Sequence, residues 1–176
     1  MTSSRLTTIG VSIPIPAPDG EYLQQRRAEF GDPAARRIPA HITLVPPTEV
    51  DEATYAGFVE HCSTVADGRP PFEVILRGTG TFRPISDVVY IHVAQGVSAC
   101  ERLEKHLRNG PVKRDLAFYY HPHVTVAHNV SVDCLDRAFT ELADFRADFV
   151  VGAFQLYEQG EDGTWRPVKD FALQGG

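Results

Sequence analysis

One short pattern, written twice, constrains this chain more than any other feature. The segments 38-IPAHITLVPP-47 and 118-FYYHPHVTVAHN-129 both contain His-aliphatic-Thr-aliphatic, once as His41-Ile42-Thr43-Leu44 and once as His123-Val124-Thr125-Val126. In an extended strand, residues i and i+2 point to the same face. Each segment therefore turns an aliphatic pair toward a core and shows an imidazole beside a hydroxyl on its other face.

The surroundings repeat as well. Residues 6–15, rich in β-branched side chains and bounded by proline, read as a strand. Residues 18–31 read as a helix opened by Pro18 and Asp19 and closed by Gly31. The first motif lies on a strand over 40–47. A helix over 51–66, acidic at its start, and a strand over 72–82 follow. The order then recurs: a strand over 87–94, a helix over 97–110, the second motif strand over 122–130, a helix over 133–145 with Asp133 as N-cap, and a strand over 148–157. A turn at 160–163 leads to a last strand over 164–173. The two histidines lie 82 positions apart. A repeat of that length predicts a duplicated α+β unit within one domain over 1–176, with pseudo-repeats at approximately 6–83 and 86–172.

Two opposed His-Thr pairs suit the chemistry of a phosphodiester. Imidazole both gains and loses a proton near neutral pH. One neutral histidine can take a proton from water while a protonated one supplies a proton to the departing oxygen. Threonine hydroxyls and backbone N–H groups can hold the charged oxygens. A single such triplet arises often by chance, and the reading rests on the double occurrence at matching places.

Bulk properties narrow the classes. A net charge of -6 over 176 residues argues against a general nucleic-acid coat protein, which carries a basic field, but leaves room for a small or end-specific substrate. The apolar runs are strand-sized, so no membrane span is expected. The first residues, MTSSRLTTIGVSIPIP, lack the apolar block of a cleaved leader. Cys62, Cys100 and Cys134 are scattered and read as reduced thiols. These features together predict a cytoplasmic protein, expected to be a monomer.

The pair 41-HITL-44 and 123-HVTV-126 resembles the two signature motifs of the 2H phosphoesterase superfamily, and the chain is most similar to its bacterial LigT-like group of RNA 2',3'-cyclic phosphodiesterases and 2'-5' RNA ligases. The resemblance implies a bilobal α+β fold, with two antiparallel sheets flanking a central cleft and helices outside. It implies a hydrolase with no cofactor and no metal, acting on an RNA end or a small cyclic nucleotide phosphate. Carried onto this sequence, His41 and His123 are the acid–base pair, and Thr43 and Thr125 bind the phosphate oxygens. The resemblance leans to His41 as acid and His123 as base, an assignment that the near symmetry of the motifs leaves open. The chain departs from the group in being acidic and in lacking an Arg at the head of 88-VVYIHV-93. That makes a short oligonucleotide, a nucleotide or another small cyclic phosphate as plausible a substrate as long RNA.

Weaker substrate contacts are expected from His121, Arg83 and Tyr90, the last as a stacking platform. His121-Pro122-His123 also has the spacing of a zinc-chelating pair, which opens a rival reading as a zinc-dependent hydrolase, although no third ligand stands out. A binding module that holds a nucleotide or RNA end without turning it over is a further alternative. Arg26, Arg27, Arg36 and Arg37 read as a basic rim or as a solvated face. Tyr119, Tyr120 and Trp165 read as core or rim.

Overall fold

The computed structural model describes residues 4–175; residues 1–3 and 176, which the leader and single-domain readings include, lie outside the described part. Eight strands and four α-helices follow in the order β1 (Thr7–Pro14), α1 (Asp19–Glu29), β2 (His41–Val50), α2 (Glu52–Asp67), β3 (Phe72–Thr81), β4 (Val88–Gln95), α3 (Val97–Leu107), β5 (His123–His128), α4 (Val132–Glu141), β6 (Arg146–Val151), β7 (Ala153–Gln159) and β8 (Trp165–Ala172). A 3₁₀ turn, Pro33–Arg36, links α1 to β2. No helix among the described residues is long and apolar enough to cross a membrane.

The strands form two four-stranded antiparallel sheets, ordered β2-β1-β7-β8 and β5-β4-β3-β6. The fold is the α+β, two-sheet architecture that the motif pair implied. The sheets cut across the pseudo-repeats: β3 leaves the first half to join the second sheet, and β7 and β8 return to complete the first. Each motif strand, β2 and β5, is an edge strand, and the two edges approach each other.

Helices interlock the sheets. The α1 helix packs on β5 of the second sheet, while α3 packs on β2 of the first. Acids at the start of α1 (Asp19, Glu21) and bases at its end (Arg26, Arg27) match the helix dipole. In α2 the Asp51 side chain accepts from Thr54 N at 2.7 Å, and Phe58, Cys62, Val65 and Ala66 form its buried stripe. One continuous core joins both sheets, with Ile42, Leu44, Val124 and Val126 from the motif strands buried in it. All three cysteines are unpaired, Cys62 and Cys100 within the core.

Three local expectations are corrected. The stretch 148–157 is not one strand but the end of β6 and most of β7, divided at Gly152 and assigned to different sheets. The reason is a slip in the period-2 pattern: Ala147 and Val151 are buried in β6, but Phe154 and Leu156 in β7, so buried parity shifts from odd to even. The α4 helix is capped by Ser131, whose hydroxyl accepts from Cys134 N at 3.2 Å, and Asp133 sits in its first turn. The β2 strand runs past Pro46-Pro47 to Val50, because an edge strand tolerates missing N–H donors and two register shifts against β1, on either side of Val11, absorb the irregularity.

Two glycines make room for tyrosines on neighbouring strands. Gly10 of β1 lies opposite Tyr157 of β7, and a Cβ there would meet the Tyr157 hydroxyl oxygen and ring. Gly80 of β3 lies opposite Tyr90 of β4, and its Cβ would lie 2.7 Å from the tyrosine ring. Each tyrosine thus lies over the bare backbone of its neighbour. Gly10→Ala and Gly80→Ala are expected to destabilise the fold by about 1–3 kcal/mol each through overpacking. Gly152→Ala, where a Cβ meets nothing within 4 Å, should shift stability far less. Urea unfolding of the three variants checks this, and equal effects at all three would refute the packing account.

Candidate active site

The two histidines open their strands in the same way. The His41 Nδ1 lies 2.7 Å from the carbonyl oxygen of Pro39, and the His123 Nδ1 lies 2.6 Å from that of His121. In both cases the acceptor is the carbonyl two residues earlier. A carbonyl can only accept, so each Nδ1 carries the proton and donates it, which leaves Nε2 as the working nitrogen. The His41 Nε2 lies 3.1 Å from Thr43 Oγ1, close enough to accept the hydroxyl proton. Thr43 and Thr125 follow on the same faces as their histidines, and all four side chains are half-buried.

The junction is tied across the sheets. The Tyr120 hydroxyl donates to the carbonyl oxygen of Thr43 at 2.7 Å, linking the segment before β5 to β2. The Asp32 carboxylate, 4% exposed, accepts from Arg27 Nε at 2.7 Å, Ala34 N at 2.9 Å and His128 N at 3.0 Å. It pins the end of α1 to the end of β5.

Each imidazole is backed by aromatic rings. Trp165, at the start of β8, lies 4.3 Å from the His41 ring and stacks on Tyr157 at 3.7 Å. Its amide donates to the Arg37 carbonyl at 3.0 Å, which docks the β7–β8 turn onto the segment before His41. On the other side, His123 has Phe82 edge-on at 5.0 Å and Tyr90 at 5.3 Å.

A cavity of about 470 Å³ borders this junction. Thr43 and His123 lie on its wall, together with His121, Phe82, Leu116 and Phe118. Arg108 and Arg114 also reach it, but Arg108 pairs with the buried Glu104 at 2.7 Å and Arg114 donates to Thr48 Oγ1 at 2.9 Å.

The weaker candidates separate. His121 is exposed and stacks beside His123 at 5.9 Å. Arg83 lies away from the cavity wall and pairs with Asp136 of α4 at 2.8 Å. Tyr90 is 6% exposed and packs against His123, so little of its ring is open for stacking. The basic rim shrinks: Arg27 is buried against Asp32, and Arg26 pairs with Glu29 and Glu141. Among the described residues, no group of three or more His, Cys, Asp or Glu side chains is placed to hold a metal, so the His121–His123 pair gains no third ligand. Sequence reading missed the contact of Trp165 with His41, since nothing in local spacing foretells where a hairpin tip will dock. Tyr120, beside the motif, carried only the signal of its position.

An α+β protein with two four-stranded sheets, carrying matched His-Thr pairs on approaching edge strands, defines a two-histidine class of scaffold. The profile of the 2'-5' RNA ligase superfamily matches residues 14–163. The chain belongs to that superfamily and is a LigT-like 2H phosphoesterase. It is 29% identical over 144 residues, 81% of this chain and 84% of the relative, to a protein of Halalkalibacterium halodurans named "Putative phosphoesterase BH1439". A similarly named protein of Bacillus cereus is 28% identical over 146 residues, 81% and 83% of the two chains. Among solved structures, one described as a phosphoesterase superposes with a TM-score of 0.72 at 21% identity, covering 97% of this chain and 99% of the other. Escherichia coli LigT complexed with 3'-AMP gives 0.70 at 20% identity, covering 96% and 99%.

Burial sets the charge of the pair. The His41 pKa is lowered from 6.5 to about 4, chiefly by burial; the Pro39 carbonyl opposes this, and Arg27 and His123 add repulsion. His123 is also lowered, first by burial and then by His121, against the raising effect of the His121 carbonyl. As pH falls from 6.5 to about 4, the unfolded chain takes up a proton that native His41 refuses, so stability is lost across that window. The melting temperature is expected to fall more steeply there in the wild type than in His41→Gln. Parallel curves would show that His41 titrates at its ordinary value.

Proposed function

We propose that this protein is a metal-independent phosphodiesterase that opens 2',3'-cyclic phosphates, at RNA ends or in nucleotides, to 2'-phosphates. The observation that carries the reading is the matched pair: two imidazoles, each fixed through Nδ1 by the carbonyl two residues before it, each followed by a threonine on the same face of an edge strand. The phosphoesterase names of the relatives support it, as does the 3'-AMP complex of a LigT of the same fold.

In the reaction, one neutral Nε2 takes a proton from water as the water oxygen attacks phosphorus. The bond from phosphorus to the 3' oxygen breaks, and the other imidazole, protonated, gives its proton to that oxygen. The 2' ester bond stays. Thr43 and Thr125 hold the non-bridging oxygens. With a 5'-hydroxyl in place of water, the same attack on the cyclic phosphate breaks the bond to the 3' oxygen, which takes the proton, and leaves a 2'-5' linkage. The acidic surface and the small cavity favour a short substrate, turned over by a cytoplasmic monomer.

His41→Ala and His123→Ala are each expected to cut turnover of a 2',3'-cyclic nucleotide on the order of 10²–10⁴-fold while leaving the fold intact. Thr43→Ala and Thr125→Ala should lose less. Activity should persist in EDTA, and the product should be the 2'-phosphate by phosphorus NMR. Because burial lowers both imidazoles, kcat/KM should be bell-shaped with its maximum below the ordinary histidine value of 6.5. Tight binding of the cyclic nucleotide without turnover would replace this reading with a binding module, and loss of activity in EDTA would restore the zinc reading.

A further inference from the structure

We infer that the open face of the second sheet is a track for a single-stranded phosphate backbone, so that the substrate is a short oligonucleotide ending in the cyclic phosphate. The inference rests on the two-histidine phosphodiesterase reading and names the substrate class that this site takes.

The track is a row across all four strands. His92 of β4 lies directly opposite His123 of β5, and Arg77 of β3 lies directly opposite Arg146 of β6. Between β3 and β4, Leu76 pairs with Val93 and Thr79 with Ile91, so Arg77 and Gly78 together oppose His92 at a bulge. At one level the order is therefore His123, His92, Arg77, Arg146, one basic side chain per strand. Each alternates with a buried neighbour, respectively Val124, Val93, Leu76 and Ala147, so the row lies on the face away from the core. Helix α4 packs on the other face, where the Thr79 hydroxyl donates to the Phe139 carbonyl at 2.8 Å. Neighbouring strands lie ~4.8 Å apart, so the row runs roughly 14 Å from the catalytic histidine to the far edge.

The protein leaves this row largely uncompensated. Like charges directly opposite in a ladder are destabilising, and Arg77 and Arg146 stand so. Among the described residues, no ion pair includes Arg77 or His92. Arg146 reaches Asp148 at 3.4 Å, an exposed pair that adds little. The carboxylates of β3 and β6 on this face, Glu73 and Asp148, belong to the next levels of the ladder, opposite Val150 and Ile75. The half-buried His92 ring lies over the bare backbone of Gly80, where a Cβ would come within 2.8 Å of it. An imidazole offers an N–H donor whether neutral or charged.

A phosphate between Arg77 and Arg146 turns their repulsion into charge-assisted hydrogen bonds. A 2',3'-cyclic phosphate occupies both ribose oxygens and so ends its strand; further nucleotides lie on the 5' side alone. With the cyclic ring at His123, the preceding phosphates pass over His92 to the two arginines. At roughly 3.4 Å per stacked nucleotide, and more when extended, the row takes about two to four. Tyr90, the aromatic ring beside the row, is almost wholly buried, so the track holds phosphates and reads no base.

The test compares adenosine 2',3'-cyclic phosphate with an adenosine trinucleotide ending in the same cyclic phosphate, on the full chain and over a range of salt. At low salt kcat/KM should be on the order of tenfold higher for the trinucleotide, and its logarithm should fall more steeply with log salt, by about 0.7 for each further phosphate held. Arg77→Ala, Arg146→Ala and His92→Ala should each lower the trinucleotide-to-mononucleotide ratio severalfold. The arginine variants should also flatten the salt slope by about 0.7, and Arg77→Lys should keep most of both. A uridine trinucleotide should behave as the adenosine one does. Equal kcat/KM and equal salt slopes for the two substrates overturn the track, as do arginine variants that slow both substrates alike. A wild type that opens neither refutes the underlying phosphodiesterase reading. Fluorescence anisotropy of a labelled trinucleotide 3'-phosphate then decides the track separately: binding weakened by Arg77→Ala sustains it, and no binding, or binding indifferent to Arg77, removes it.

Discussion

The carboxylate of Asp32 is the interaction on which the arrangement of the two halves depends. It is buried, and it accepts from a side chain of α1, from the 3₁₀ turn and from the backbone of β5. Its contact with Arg27 is an ion pair with both side chains under 10% exposed. Such a pair adds little net stability over an apolar substitute, but losing one partner leaves a buried charge uncompensated, at a cost of about 3–5 kcal/mol. Its importance here is geometric. The α1 helix follows a strand of the first sheet, and Asp32 fastens its end to the motif strand of the second. Arg27, held by this carboxylate, also acts on His41 through its charge.

Against that tie, the two sheets share one packing device. In each sheet a glycine strips one strand so that a tyrosine from its neighbour lies flat across it, Tyr157 over Gly10 and Tyr90 over Gly80. Tyr90 touches its histidine directly, while Tyr157 reaches His41 only through the stacked Trp165. The imidazoles are thereby braced on one side by aromatic carbon and on the other by a backbone carbonyl. Neither brace involves a charged partner, so the burial that fixes the rings also lowers their basicity.

The features legible in the sequence were the local ones. The motif strands, the helices and their order follow from periodicity and caps, because those signals lie within a few residues. Sheet membership does not: nothing near Phe72 announces that β3 will pair with β4 rather than return to β1. The break at Gly152 was visible in principle, as the slip in buried parity between Val151 and Phe154, but a continuous β-rich run masked it. Arg26 and Arg27 read as a basic rim or a solvated face because their charge is visible in sequence, whereas their partners, Glu141 and Asp32, come from the fold. Trp165 lies more than a hundred residues beyond the histidine it covers, and only the docking of the β7–β8 turn on Arg37 brings them together.

That docking bears on a difficulty inherent in any duplicated acid–base pair. Two copies of one strand in a symmetric frame give two imidazoles of equal basicity, whereas proton transfer in both directions requires one loaded and one empty. Mutual repulsion splits a symmetric pair but does not say which member keeps the proton. The symmetry is broken here by contacts that differ between the two histidines. The terminal hairpin brings Trp165 onto His41 and closes it in, and Arg27 adds a positive charge on the same side. His123 is backed instead by Phe82 and Tyr90, and it borders the open cavity with His121 beside it. The strand supplies the same side chains twice, and the terminal hairpin makes their environments unequal, which is the condition for one copy to accept a proton while the other donates.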